Sequence, residues 1–150
     1  MKYYEDMPLG VSNESEESYT FSAQEIKAFA HKWDPMPFHT DEELAAGTPI
    51  GALFASSIHT VAVGVKLSHS FMDDEVAAVA GLGWDDVRFF KPVFAGDVVR
   101  IKSEVTERRE SKSKPDRGII TTRISVINQD SETVAEYKIT TLVLKNPGGS

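Results

Sequence analysis

Asp34 and His39 are the acid and the imidazole of a six-residue stretch, "DPMPFH", that carries two prolines between them. A carboxylate and a neutral imidazole held at a fixed separation can share one water, taking a proton from it and returning one elsewhere. Proline supplies the fixity. Each ring locks its own φ and restricts the residue before it, so Asp34 and Met36 are pushed out of the helical region. The stretch from Asp34 to His39 is therefore expected to be stiff, extended and non-helical. The competing reading is a rigid linker, with Asp34 serving a helix end and His39 a buried, satisfied histidine.

Helix-like sequence stands on both sides. In "SAQE", Ser22 as N-cap and Glu25 three residues later form a capping box. Ile26, Phe29, Ala30 and Trp33 follow at helical spacing until Pro35 stops the helix. A second box, "TDEE", puts Thr40 at an N-cap and Glu43 at the third helical position. His39 is then expected just outside that helix, where the positive end of the dipole disfavours imidazolium and keeps the ring neutral. After the turn-rich "GTPIGALFAS" comes "SSIHTVAVGVKLSH", a helix with Ser56 as N-cap. Ile58, Val61, Ala62, Val63, Val65 and Leu67 cover most of its circumference, so it is expected to be buried on several sides.

Beyond that helix the period changes to two. Val99, Ile101, Ser103 and Val105 alternate with polar neighbours in "VVRIKSEVTE", and "GIITTRISVIN" and "TVAEYKITTLVL" behave alike. "VAAVAGLG" and "DVRFFKPV" are two shorter strand candidates, and a short strand is expected near Tyr19 to Phe21. Residues 1–18 are polar and acidic, expected as a loosely held arm, and 146–150 as a flexible tail of one domain spanning 1–150. A helix followed by about five strands predicts an α+β hot-dog fold, an antiparallel sheet wrapped around the long buried helix. Such a sheet leaves an edge and a seam, so a homodimer or higher homo-oligomer is expected.

Composition excludes several classes. A net charge of −7 without a basic stripe argues against nucleic acid as a partner. The absence of cysteine removes disulfides, thiolate nucleophiles and Cys-based metal sites together. His31, His59 and His69 lack zinc spacing, so no metal is expected, and His59 is read as a packed, hydrogen-bonded residue. No Gly-x-Ser-x-Gly elbow surrounds Ser56 or Ser57, so a serine hydrolase is not indicated. Without an apolar leader or a membrane-length run, a cytoplasmic protein with no membrane partner is the expectation. Asp97 in "AGDVV" is a turn residue.

With the dyad, the helix and the strands in place, the chain resembles the MaoC-like dehydratases, the hot-dog group that includes (R)-specific enoyl-CoA hydratases. The resemblance runs through "YYEDMPLG", "FAHKWDPMPFHTDEE", "LFASSIHTVAVGVKL", "VRFFKPVFAGD", "SKSKPDRGI" and "ISVINQDSETVAEY". Its most specific element is the family's Asp-x-Asn-Pro-x-His motif, matched at Asp34, Pro37 and His39, with Met36 in place of Asn. The Gly-Asp pair that often opens the motif is Trp33-Asp34 here.

The resemblance implies reversible addition of water to a 2-enoyl-CoA, giving a 3-hydroxyacyl-CoA, as in fatty acid metabolism. Asp34 and His39 would be catalytic, and the backbone N–H of Ser57, where the family usually has Gly, would polarise the thioester carbonyl. No cofactor is implied beyond CoA as the carrier of a small-molecule acyl substrate. Trp33, Phe38 and Ser56 would border the substrate, the two aromatics keeping the dyad dry. Lys112, Lys114 and Arg117 are either a solvated hairpin tip or contacts to CoA phosphates. A hot-dog thioesterase and a non-catalytic acyl-CoA or acyl-carrier binding module are the rival readings.

Overall fold

The computed structural model describes residues 1–70 and 75–149; Ser150, the last residue of the expected tail, lies outside them. A 3-10 turn at Tyr4–Asp6 precedes β1 (Ser12–Glu14) and β2 (Tyr19–Thr20). Helices α1 (Ala23–Trp33), α2 (Pro37–Thr40), α3 (Glu42–Ala46) and α4 (Ser57–Ser68) follow. Strands β3 (Ala78–Phe89), β4 (Val98–Glu110), β5 (Arg117–Ile127) and β6 (Thr133–Leu144) complete the described chain. Every pairing between these strands is antiparallel, in the order β1-β4-β5-β6-β3, with β2 also on β4. The fold is α+β and hot-dog-like.

The α1 boundaries follow from local chemistry. Ser22 Oγ accepts from Glu25 N at 3.1 Å, the expected cap. The box is only half closed, because the Glu25 carboxylate takes the Tyr19 hydroxyl instead of the cap N–H. Strand β4 buries Val99, Ile101, Ser103 and Val105, the face that alternation indicated. The two strand candidates before it are one long strand, β3, with register shifts at Gly81/Gly83 and Asp85/Arg88. Those shifts break the period and made one bent strand read as two.

Helix α4 seats His59, Thr60, Val63, Gly64 and Leu67 on the sheet. Gly64 allows the close approach, since a Cβ there would lie 2.5 Å from the Tyr137 hydroxyl. Within one chain, however, the helix is not enclosed. Ile58 is 57% exposed and Ala62 is exposed as well, so the expected burial on several sides is corrected to burial on one. Its outer apolar residues have no cover from this chain's sheet.

The N-terminal segment is not the loose arm that its polarity suggested. Tyr4 is buried over Gly118, where a side chain would collide with the ring, and the Arg108 guanidinium lies over that ring at 4.2 Å. Ser15 adds a buried bond to Ile101 N at 2.9 Å. Aromatic and backbone anchors, not composition, fix this segment.

Candidate active site

Asp34 follows α1 directly, its N–H still bonded to Ala30 O at 2.8 Å while its own backbone, at φ −156 and ψ 72, has left the helical region. Pro35 forces that exit. Met36 is extended, but Pro37 opens the four-residue helix α2, so His39 lies inside a helical turn. The non-helical expectation fails from Pro37 onward, because proline is well suited to a first helical position. Thr40, expected as the next N-cap, is spent closing α2, its hydroxyl donating to Met36 O at 3.2 Å. Asp41 caps α3 in its place, accepting from Leu44 N at 3.0 Å.

Met36 does not hold this loop with its side chain, which points into solvent. Main-chain bonds hold it instead: Met36 N to Asp34 O at 2.8 Å, His39 N to Met36 O at 2.9 Å, and Asp41 N to Pro37 O at 3.0 Å. An amide at position 36 is therefore dispensable for the loop's shape.

His39 is buried, and its Nδ1 lies 2.6 Å from the carbonyl oxygen of Phe54. A carbonyl only accepts, so Nδ1 carries the hydrogen and neutral His39 presents a bare Nε2. That nitrogen is 3.6 Å from Asp34 Oδ2, beyond hydrogen-bond length. Two acceptors thus face one gap, and a water seated beside both could donate one hydrogen to each. The Phe54 carbonyl fixes the tautomer, a constraint the sequence did not reveal.

The carbonyl is itself held in place. Phe54 bridges Phe94, and Ala55 N donates to Val93 O at 2.8 Å. The turn below them is closed by Asp97, whose Oδ2 accepts from Phe94 N at 2.8 Å, with Gly96 at φ +92. Phe38 packs edge-on to His39 at 4.6 Å and stacks with Phe54 at 5.2 Å. The imidazole is therefore fixed on its hydrogen-bonding and its apolar sides.

Ser56 begins α4 but does not cap it with its side chain. Its hydroxyl donates to Asp34 Oδ2 at 2.6 Å from a fully buried position, which corrects the capping role read from sequence. Ser57 is the first helical residue, with an N–H that has no acceptor within the helix. It borders a cleft of about 210 Å³ with Ile50, Phe54, Thr60, Phe90 and Lys91. A larger hollow of about 650 Å³ lies at the other end of α4, by Ser68 and His69, and touches neither Asp34 nor His39. Asp34 and His39 do not line the smaller cleft either; it adjoins them through Phe54, whose carbonyl holds His39, and through Ser57, next to Ser56.

The fold brings Asp34, His39, Ser56 and Phe38 together and places Ser57 at the adjoining cleft. It does not bring Trp33 over the dyad: that ring is 61% exposed, with Lys32 above it at 5.1 Å. Lys112, Lys114 and Arg117 lie at the β4–β5 hairpin, where Arg117 grips Asp116 at 2.7 Å. The dyad's support meets the start of β4, and thirteen strand residues span about 40 Å, so one chain does not join hairpin and dyad. His59 is packed as expected, stacked on Phe29 at 4.5 Å, but its Nδ1 has no hydrogen-bond partner among the described residues. Burial pushes its pKa below the ordinary value, outweighing the opposing pull of Glu25. Sequence reasoning missed the Phe54 carbonyl, because any residue type can supply one.

The chain is 30% identical to the uncharacterized protein YdeM of Bacillus subtilis (strain 168) over 128 residues, 84% of this chain and 88% of that protein. Its structure is similar to that of the MaoC-like dehydratase from Rhodospirillum rubrum, with a TM-score of 0.87, 31% identity, and 98% and 99% of the two chains covered. The (R)-hydratase from A. caviae involved in PHA biosynthesis is more distant, with a TM-score of 0.69, 25% identity, and coverage of 93% and 98%. The family model for the MaoC like domain matches residues 6–128, a span that contains the dyad, α4 and the strands through β5. The chain belongs to the MaoC-like dehydratase family.

Proposed function

We propose that the protein is a hydratase/dehydratase that reversibly adds water to a 2-enoyl-CoA, giving a 3-hydroxyacyl-CoA. The observation that carries this reading is the pair of acceptors facing each other across 3.6 Å beside the start of α4: His39 Nε2, which is bare, and Asp34 Oδ2, which accepts the Ser56 hydroxyl and keeps further lone-pair capacity. Water seated there loses a proton to the dyad as its oxygen bonds to C3. The dyad then returns a proton to C2, so the enzyme ends as it began. Charge that develops on the thioester oxygen is met by the Ser57 N–H, at the positive end of α4. The resemblance to the A. caviae (R)-hydratase supports the same chemistry.

A second copy of the chain belongs to this reading. Strand β3 ends the sheet with exposed Val79, Leu82, Val87 and Phe89, and Ile58 on the outer face of α4 is uncovered as well. A long apolar edge of this kind is a template for another strand. The function is tested with a panel of 2-enoyl-CoA and 3-hydroxyacyl-CoA thioesters, following both the conjugated enoyl absorbance and free thiol. Loss of absorbance without thiol is expected. Stoichiometric thiol with no hydroxyacyl product would make the protein a thioesterase, and binding without turnover would make it an acyl-CoA binding module.

A further inference from the structure

Ser56 has the residue type and the extended backbone of a helix N-cap, yet its hydroxyl turns away from the helix. It donates to Asp34 Oδ2 at 2.6 Å, the same oxygen that lies 3.6 Å from His39 Nε2. The serine is fully buried, so no water competes for that bond. A hydroxyl has one proton to give, and here it goes to the carboxylate. Two effects follow from this one rotamer. The Asp34 carboxyl cannot rotate freely about its terminal bond, which keeps its remaining lone pairs aimed at the gap. The first amides of α4 are also left without a side-chain acceptor, and so stay available to negative charge on a substrate.

We infer that Ser56 is a positioning residue for Asp34, acting through the carboxylate and not through the substrate. This rests on the hydratase reading, and the experiment separates the two. Ser56→Ala should fold with a nearly unchanged Tm, because the side chain does not cap α4. Its kcat should fall by about 10- to 100-fold, the scale of a misplaced catalytic group, while KM stays within about twofold. In an Asp34→Asn background the same change should cost nothing further, since the group it orients is gone. Ser56→Cys, similar in size but a weak donor, should lie between.

Wild-type turnover in folded Ser56→Ala, or losses that multiply with those of Asp34→Asn, would overturn the inference. If the alanine variant does not fold, Ser56→Cys decides, and full turnover there has the same meaning. One readout does not depend on activity: the Asp34 carboxylate stretch, identified by isotope-edited infrared difference against Asp34→Asn. It should shift when the hydroxyl is removed. If the wild type hydrates no enoyl thioester, the hydratase reading falls, and an unmoved band would then sink the positioning role separately.

Discussion

Asp34 and His39 face each other because separate elements fix each of them. Asp34 is held by the end of α1 and by Ser56, and His39 by α2 and the Phe54 carbonyl. Asp34→Asn and His39→Ala should each lower kcat by about 10²-fold or more, the usual scale for a positioned acid or base. Both variants should melt close to the wild type. Full activity in either, measured on the best enoyl-CoA, would reduce the dyad to structure. The pair was legible in the sequence because proline acts on its immediate neighbours. The partners were not, because Phe54 is 15 residues from His39 and Ser56 is 22 from Asp34. Contacts at that range exist only after folding, and Ser56 had a sufficient local explanation that proved to be the wrong one.

At the scale of elements, α4 presents the Ser57 N–H at its N-terminus, the proposed donor to the substrate, and a titratable ring, His59, two residues further in. Ser57→Pro should leave the fold nearly intact, since the first helical position needs no N–H and already suits proline. Losing one donor to the enolate oxygen should cost about 10²- to 10³-fold in kcat. Ser57→Gly retains the N–H and should retain activity, so the two variants together separate the amide from the side chain.

His59 predicts a pH effect of definite sign. Its folded pKa lies below the ordinary value of 6.5, so the folded state prefers the neutral ring that stacks on Phe29. The stability this confers is present above about pH 6.5 and is lost as pH falls through the folded pKa, because the unfolded chain takes up a proton that the folded chain resists. Tm should therefore drop between pH 7.5 and 5. His59→Phe, which keeps a stacked ring without titration, should flatten that slope, and an unchanged slope would assign the acid sensitivity elsewhere. Helix α1 was legible because its cap and period are local. The four residues of α2 were not, since two prolines read as non-helical until one is seen to begin a turn.

For the whole molecule, hydropathy indicated a helix buried on several sides, and one chain buries only one face of it. The same holds for β3, whose apolar residues face solvent along nearly its whole length. A sequence records that a residue needs cover but not which chain supplies it, so burial between copies reads like burial within one. Both uncovered surfaces are explained together if β3 of one copy pairs antiparallel with β3 of another across a two-fold axis, which also removes the open edge. The protein should then sediment at about twice 16.5 kDa at micromolar concentration. Val79→Lys combined with Leu82→Lys should convert it to single chains, because neither residue is register-paired with β6 and both side chains are exposed in the isolated chain. Charge on a strand edge opposes strand addition without disturbing the sheet behind it. Turnover should fall with dimer content, since Phe89 and Phe90, at the end of the same strand, wall the cleft beside Ser57. A wild-type chain that sediments as a monomer would refute the pairing. A fully active monomeric variant would show instead that one chain builds the whole site, and that the apolar edge serves assembly alone.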